Sequence, residues 1–445
     1  MPKHHPELYH TRESKRHFLY SKAEEREKKR SHAPARIQKT IESAYPGLLK
    51  DHSFLSHVAE QLSTAKTFAC TVFQIDDARS NPDSRKSNPG SVHKIAAQLI
   101  DDLCRQNQGT WGLLNSDLFS ACFENKDGSE CLKLTQIIQK ALKNKIGSTI
   151  SAGICEYPKL DYKPAEIITS AVKALDHAAF FGSGSAAIFD AVTLNISGDK
   201  LFDKGDIHGS IQEFQKALKL DPSNINVHNS LGVCYGLLCD YDKATLAFNT
   251  AIKLNSNEVM AWYNLGFTRM LAGHREKALD LFLKANTINR DVFEVAFQTG
   301  RLLLEMEQPA SGKKFLEHAS RLEPKSGAVF RYLGECYTKT DRVPDAIVAY
   351  KKAIKYNPSD AASLSAIGCL FDEQGENPEI SVMFCQESVK LSPENGLFRM
   401  RLGRLYYKQN RLDDALKEFK KAQLLGQDAS EYIRKIKTRQ AHKAS

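Results

Sequence analysis

Residues 259–292 read VMAWYNLGFTRMLAGHREKALDLFLKANTINRDV, and their spacing decides most of the fold. Two helices that cross closely need small side chains at the crossing and large ones where the gap widens. Gly266, Ala278 and Ala285 supply the small positions, and Trp262, Leu265 and Phe282 the large ones. The register recurs along the chain. Gly198, Gly232, Gly266, Gly300, Gly334 and Gly368 stand 34 residues apart, and Gly403 follows after one extra. Such regularity marks a repeat array, in which each unit buries its apolar ridge against its neighbours.

Other units keep the same pieces. Residues 225–258 carry Leu231, Gly232, Tyr235, Ala244, Phe248 and Ala251, and 327–360 carry Leu333, Gly334, Tyr337, Ala346, Tyr350, Ala353 and Pro358. This W-x-x-L-G-x-x-Y...A-x-x-x-F-x-x-A...P pattern resembles the tetratricopeptide repeat (TPR) family. The resemblance covers 191–427 as seven units, the first resting on Gly198, Leu201, Phe214, Ala217 and Pro222. The fourth is weaker, with Gly312 and Leu316 at its second-helix positions, and the last keeps Leu402, Gly403, Tyr406, Ala415, Phe419 and Ala422. The extra residue of the sixth, around Gly375-Glu376-Asn377-Pro378, is expected to lengthen the turn between its helices, since Pro suits a helix's first turn. Beyond 427, Tyr432, Ile433 and Ile436 are expected to cover the exposed end as a capping helix over 428–445. The array is expected to fold without the region before it.

The resemblance implies an inner groove lined by the second, fifth, ninth and twelfth residues of each first helix. Carried over, these are Met260, Tyr263, Phe267 and Met270, then Phe297, Arg301 and Leu304, then Arg331 and Glu335. An apolar, aromatic groove beside arginines suits a protein or peptide partner with a hydrophobic anchor and an acidic group, because a guanidinium grips a carboxylate with two hydrogen bonds. The alternative is that Phe267, Phe297 and Leu304 only fill the packing between repeats.

Upstream of the array, over 43–190, the pattern is α/β. FACTVFQI (68–75), STISAGICEY (148–157) and AAIFD (186–190) read as strands; SVHKIAAQLIDDLCR (91–105), LKLTQIIQKALKN (132–144) and AEIITSAVKALDHAAFF (165–181) read as helices. GLLNSDLFSACF (112–123) reads as strand, two-residue turn at Asn115-Ser116, strand, with Asp117 just after the turn. YPGLLKDHSF (45–54), FQIDD (73–77), NSDLF (115–119), STISAGICEYP (148–158) and KALDHAAFFGSGSAAIFDAVTLN (173–195) follow the order and spacing of the GGDEF family, the diguanylate cyclases, which this region resembles.

That resemblance implies a nucleotidyl-cyclase-type sheet whose active members join two GTP molecules with metal carboxylates and phosphate-holding cations. Here the chemistry is missing. Gln74 replaces the first metal Asp and leaves Asp76, Asn115 and Ser116 replace the hairpin glycines, and Leu118 replaces an acid. Pro82 and Ser91 stand near the guanine-reading positions, and Ala179 and Ser183 stand where a Lys and an Arg would hold phosphates. The inhibitory R-x-x-D is absent, since Arg105 is followed by Gln108. Asp76 and Asp117 therefore read as vestiges. No enzyme activity, cofactor or metal is expected.

Composition agrees with a soluble class: 42% hydrophobic and 26% charged residues, with a formal charge of +9. Ten scattered cysteines without C-x-x-C spacing read as buried free thiols of a reducing compartment. With no apolar leader or membrane-length stretch, the cytoplasm is the expected location. Residues 1–42 are expected to be a basic helical or disordered tail or linker, read as a solvated segment with Glu/Lys pairs. The leading reading is a scaffold or adaptor with a catalytically inactive cyclase-like domain that regulates or dimerises. The alternatives are a nucleotide or cyclic-dinucleotide sensor, and a nucleic-acid-binding adaptor using the basic termini. No membrane partner is expected, and nucleic acid is not expected either, because the basic segments do not interleave aromatic residues with their charges.

Overall fold

The computed structural model describes residues 41–76, 89–375 and 377–444. The basic tail up to residue 40 and Pro82 lie outside the described residues. Packing divides the chain into two compact units, 1–264 and 265–445.

In the first unit, Phe68–Ile75 (β1), Thr110–Leu113 (β2), Leu118–Glu124 (β3), Ile150–Tyr157 (β4) and Ala186–Ile188 (β5) form one sheet in the order β2-β3-β1-β4-β5. Central β1 is antiparallel to β3 and β4, and β5 runs parallel to β4. Phe68, Cys70 and Val72 enter one core while Ala69 and Phe73 enter the other. Burial on both faces explains why FACTVFQI shows an unbroken apolar run rather than alternation. Asp51–Gln61 (α1) and Ile167–Ala178 (α4) cover the first face; Pro89–Gln106 (α2) and Gly128–Ile146 (α3) cover the second. The sequence pattern had not marked α1. The helix expected to reach 181 is α only to Ala178, then a 3-10 turn runs to Phe181, where Gly182 at φ +94° ends it. The strand expected to reach 190 stops at Ile188, because Asp190 instead caps the next helix, accepting from the Thr193 amide at 2.8 Å.

The expectation of ten free thiols fails at one pair. Cys70 and Cys122 lie opposite each other across β1 and β3 and are joined as a disulfide. Strand register, which cysteine spacing does not reveal, brings them together.

The change of sequence pattern at 190 does not interrupt the packing. Ala191–Asp203 (α5) and Ile207–Leu220 (α6) make the first helix pair, and Ile225–Leu237 (α7) and Tyr241–Leu254 (α8) the second. One hydrophobic cluster runs from Phe54 and Phe68 through Leu175 and Leu194 to Phe214, Leu231 and Ala247. Helix α4 thus serves two layers, the sheet and the first repeats. Lys173 of α4 and Glu213 of α6 form an ion pair at 2.6 Å beside that cluster, with Glu213 nearly buried. Without Lys173 the carboxylate would keep, among the described residues, only Lys216 as an ion-pair partner, at 3.9 Å. An under-compensated buried charge is costly, so this pair ties α4 to the repeats.

Helix α9 (Val259–Leu271) contains the division between the units, and five further helix pairs are completed by Arg275–Ile288 (α10), Phe293–Glu305 (α11), Pro309–Leu322 (α12), Gly327–Lys339 (α13), Val343–Tyr356 (α14), Ala361–Glu373 (α15), Pro378–Leu391 (α16), Gly396–Lys408 (α17) and Leu412–Leu424 (α18). Ser430–Ala444 (α19) follows, with Ile436 fully buried. The repeated glycine has a steric cause. A Cβ at Gly232 would meet the Phe248 ring at 2.4 Å, at Gly334 the Tyr350 ring at 2.6 Å, and at Gly403 the Phe419 ring at 2.8 Å. In the weaker fourth unit Leu316 takes the aromatic's place, and Gly312 lets the two helices approach as closely.

A second 34-residue register lies in the turns. Gly205, Cys239, Gly273, Glu307, Asp341, Gly375 and, one residue later, Asn410 all have positive φ, from +54° to +84°. Between α15 and α16 the turn holds four residues where the other pairs have three, so the extra residue of the sixth unit sits in the turn. Asn377 caps α16, accepting from the Glu379 amide at 2.9 Å, and Pro378 occupies its first turn.

Candidate functional site

Helices α11 and α13 are consecutive first helices of the second unit, and their shared face carries a row of rings and cations. Phe293 and Phe297, one helical turn apart, stack with centroids at 5.7 Å. The Phe297 ring meets Tyr332 of α13 edge-on at 5.6 Å, and the Arg331 guanidinium lies 4.4 Å over the Tyr332 ring. Phe293, Phe297, Arg331 and Tyr332 are all only half-buried. Partly exposed aromatics beside a fixed guanidinium combine apolar contact area with a directional donor, the residue types that dominate binding energy at interfaces.

Arg301, one turn beyond Phe297, donates from Nη2 to Met270 Sδ at 3.6 Å and lies 3.4 Å from Glu305. Arg331 reaches Asp360 only at 3.8 Å. The Nε atoms of Arg301 and Arg331 are both buried without a hydrogen-bond acceptor. Glu335, one turn after Arg331, is half-buried. Burial holds its carboxyl above the ordinary range; Asp360 adds to this, while Arg331, Lys339 and Arg401 oppose it. Arg401 of α17 donates to Ser365 Oγ at 3.1 Å.

The residues expected to line a groove divide by exposure. Met260, Met270, Phe297, Arg301, Arg331 and Glu335 are half-buried. Tyr263, Phe267 and Leu304 are 0, 1 and 4% exposed, so none can offer its side chain to a ligand without leaving the core. Tyr263 is thus a core residue, and Phe297 is the half-buried aromatic among the residues expected to line the groove. Phe293, Tyr332 and Arg401 were not singled out from the sequence. Tyr332 and Phe297 meet because neighbouring first helices lie side by side, and a rule of fixed positions within one helix does not see such a contact.

In the first unit, Asp76 and Asp117, the two carboxylates expected to be vestiges, have places in the local structure. Asp76 accepts from Ser151 Oγ and from the Gly184 amide, both at 2.7 Å, pinning β1's end to β4 and to the loop before β5. Gln74 lies in register between Leu118 and Ser151. The expected two-residue hairpin turn is one residue longer. Leu114 donates to the Leu118 carbonyl at 2.9 Å, and Asn115 Oδ1 accepts from the amides of Asp117 and Leu118 at 2.9 and 3.0 Å. Asp117 therefore stands within the turn, whose shape the Asn115 side chain fixes. Ala179 and Ser183 are exposed. Among the described residues no group of three or more His, Cys, Asp or Glu side chains is arranged to hold a metal ion, and no helix is long and apolar enough to cross a membrane.

Comparison with known proteins gives one family match. The model for the cilia and flagella-associated protein 70 C-terminal domain matches residues 173–437, more than half of the chain, beginning within α4. Hsp70-Hsp90 organizing protein 1 of Glycine max is 23% identical over 50% of this chain and 40% of its own length. BBSome complex member BBS4 of Bos taurus is 22% identical over 42% of this chain and 43% of its own. The chain spans about two fifths of the length of the curated relatives it matches. Among solved structures, PilF of Pseudomonas aeruginosa aligns with a TM-score of 0.44 and 19% identity, over 49% of this chain and 97% of that one.

Proposed function

Since the chain belongs to the family of the cilia and flagella-associated protein 70 C-terminal domain, we propose that it is an interaction adaptor whose α11–α13 face holds a segment of a protein partner. The row Phe293, Phe297, Tyr332, Arg331 carries this reading, with Arg301 and Met270 beside it. An apolar side chain of the partner lies against Phe297 and Tyr332, and a carboxylate competes with Glu305 and Asp360 for the guanidiniums of Arg301 and Arg331. The names of two relatives, an Hsp70-Hsp90 organizing protein and a BBSome complex member, are in keeping with such a role. The test is a panel of twelve-residue peptides selected by display on the full chain. Phe297→Ala with Arg301→Glu should weaken the selected peptides at least roughly tenfold, about 1.4 kcal/mol. Unchanged affinities would move binding off this face.

The α/β region is, on this reading, a degenerate GGDEF-like domain without catalytic activity, joined to the array of 191–427 as a regulatory or dimerising module. Support comes from the strand order and from Gln74, Leu118, Ala179 and Ser183 at positions that would need charge, together with an Asp76 already engaged by Ser151 and Gly184. The expected result is no cyclic di-GMP from GTP with magnesium or manganese. Product that disappears in Asp117→Asn would overturn it.

A further inference from the structure

Positive charge gathers at both ends of the sequence. Residues 396–445 hold thirteen Lys and Arg against five Asp and Glu, and residues 1–40 hold eleven against five. The structure organises several of these side chains. Arg404 and Tyr407 stand at the ninth and twelfth residues of α17, the same helix positions as Arg301 and Leu304 of α11. The Arg439 guanidinium of α19 lies 4.9 Å over the Tyr407 ring, Arg404 lies 5.7 Å over Tyr432, and the two tyrosines meet edge-on at 5.6 Å. Tyr432 is itself stacked on Phe419 at 4.7 Å. The terminal helix therefore adds cations to the last repeat as well as covering its core.

Arg404, Arg434, Lys437 and Arg439 are exposed, and no ion pair joins them to a carboxylate among the described residues. Lys408, Arg411 and Lys435 are differently placed, paired with Asp372, Asp414 and Glu431. Within the second unit the first-helix face thus changes character, from aromatic at Phe293, Phe297 and Tyr332 to cationic at Arg401 and Arg404, where Arg439 of α19 adds a further guanidinium.

We infer that the α17–α19 end is an anion-recognition surface for an acidic segment of a protein partner, whose apolar anchor lies at Phe297. This rests on the proposed α11–α13 peptide face and extends it. An acidic polypeptide is favoured over a nucleic acid because the tyrosines do not present open stacking platforms: Tyr432 is stacked on Phe419 beneath Arg404, and Tyr407 lies beneath Arg439. Guanidiniums held on rings are pre-positioned donors for carboxylates, and they lose little freedom on binding.

The experiment uses the full chain and two fluorescein-labelled peptides, each with a Phe-Leu anchor followed by six glutamates or by six glutamines, plus a labelled twenty-residue oligothymidylate. The glutamate peptide should bind at least roughly tenfold more tightly than the glutamine peptide, with an advantage that shrinks as salt rises. Arg404→Gln with Arg439→Gln should remove that advantage and leave the glutamine peptide's affinity unchanged, with circular dichroism unaltered; Arg404→Lys with Arg439→Lys should keep most of it. Equal affinities for the two peptides, or a glutamate preference untouched by the Gln pair, would overturn the inference while a loss on Phe297→Ala still upheld the α11–α13 face. Loss of neither preference nor affinity in any variant would sink both. Tighter binding of the oligothymidylate than of the glutamate peptide at equal salt, abolished by the Gln pair, would reassign the surface to nucleic acid.

Discussion

The sheet of the first unit and the helix pairs of the second solve the problem of close approach differently. In β4, a Cβ at Gly153 would lie 2.1 Å from the Ala171 carbonyl oxygen and the Leu175 amide nitrogen of α4, backbone against backbone. In the repeats, the added Cβ meets chiefly the face of one side chain, as at Gly334 against Tyr350. Backbone that is hydrogen-bonded on both sides cannot move aside, whereas a ring can tilt at the cost of its packing. At Gly153 the sheet and α4 consequently meet backbone on backbone, whereas most repeat glycines face a side chain, Gly312 and Gly368 being exceptions that meet backbone oxygens at 2.7 and 2.8 Å.

The largest expected effect comes from cutting between them. A chain of residues 191–445 loses α4 and the sheet, exposing the cluster that Leu194, Ile211 and Phe214 share with α4. It should unfold in two steps by circular dichroism, the first absent from a chain beginning at 164; one sharp transition at the full-length midpoint would mean the shared core adds nothing. Next is Gly153→Ala, expected to cost about 3 kcal/mol or more, against about 1–3 kcal/mol for Gly334→Ala. Urea unfolding that ranks them the other way would break the contrast.

A smaller effect is expected at Glu335, whose carboxyl is held above its ordinary value chiefly by burial. With the folded value raised, the unfolded chain ionises first, so stability falls as pH climbs through the carboxylate range and upward. Glu335→Gln should raise Tm at pH 7 and give a much smaller gain near pH 4, where the carboxyl is mostly protonated in both states. A gain independent of pH would assign the effect to packing instead. Smallest is Cys239→Gly. The left-handed turn strains a residue with a Cβ, and relief of that strain, partly offset by a freer unfolded chain, should stabilise by roughly 0.5–1 kcal/mol. Thermal unfolding at constant pH reads it.

What could be read beforehand follows the same division. The glycine register was visible because each close contact falls sixteen residues downstream in nearly every unit, as with Gly232 and Phe248 or Gly403 and Phe419. Strand β1 was visible because burial on both faces leaves a continuous apolar run. The Cys70–Cys122 pair, the role of Asp76 and the longer turn at Asn115 depend on register or on single side-chain hydrogen bonds, which leave no period in a sequence. At the candidate site, Phe297, Arg301 and Arg331 stood at expected positions, but the burial of Tyr263 and the partnership of Phe297 with Tyr332 are set by how neighbouring helices abut.

The row of left-handed turns also bears on how such an array can change length. In the sixth unit an added residue follows Gly375, yet α16 still begins on a capped Asn377 and Pro378, and Gly368 still meets the second helix at Cys385. The joint takes up the surplus locally, as an expansion gap does in a rail. Loops grafted just after Cys239, Asp341 or Asn410 should be tolerated on the same ground. These turns are then natural entry points for reporter tags or for lineage-specific inserts, added without retuning the helices on either side.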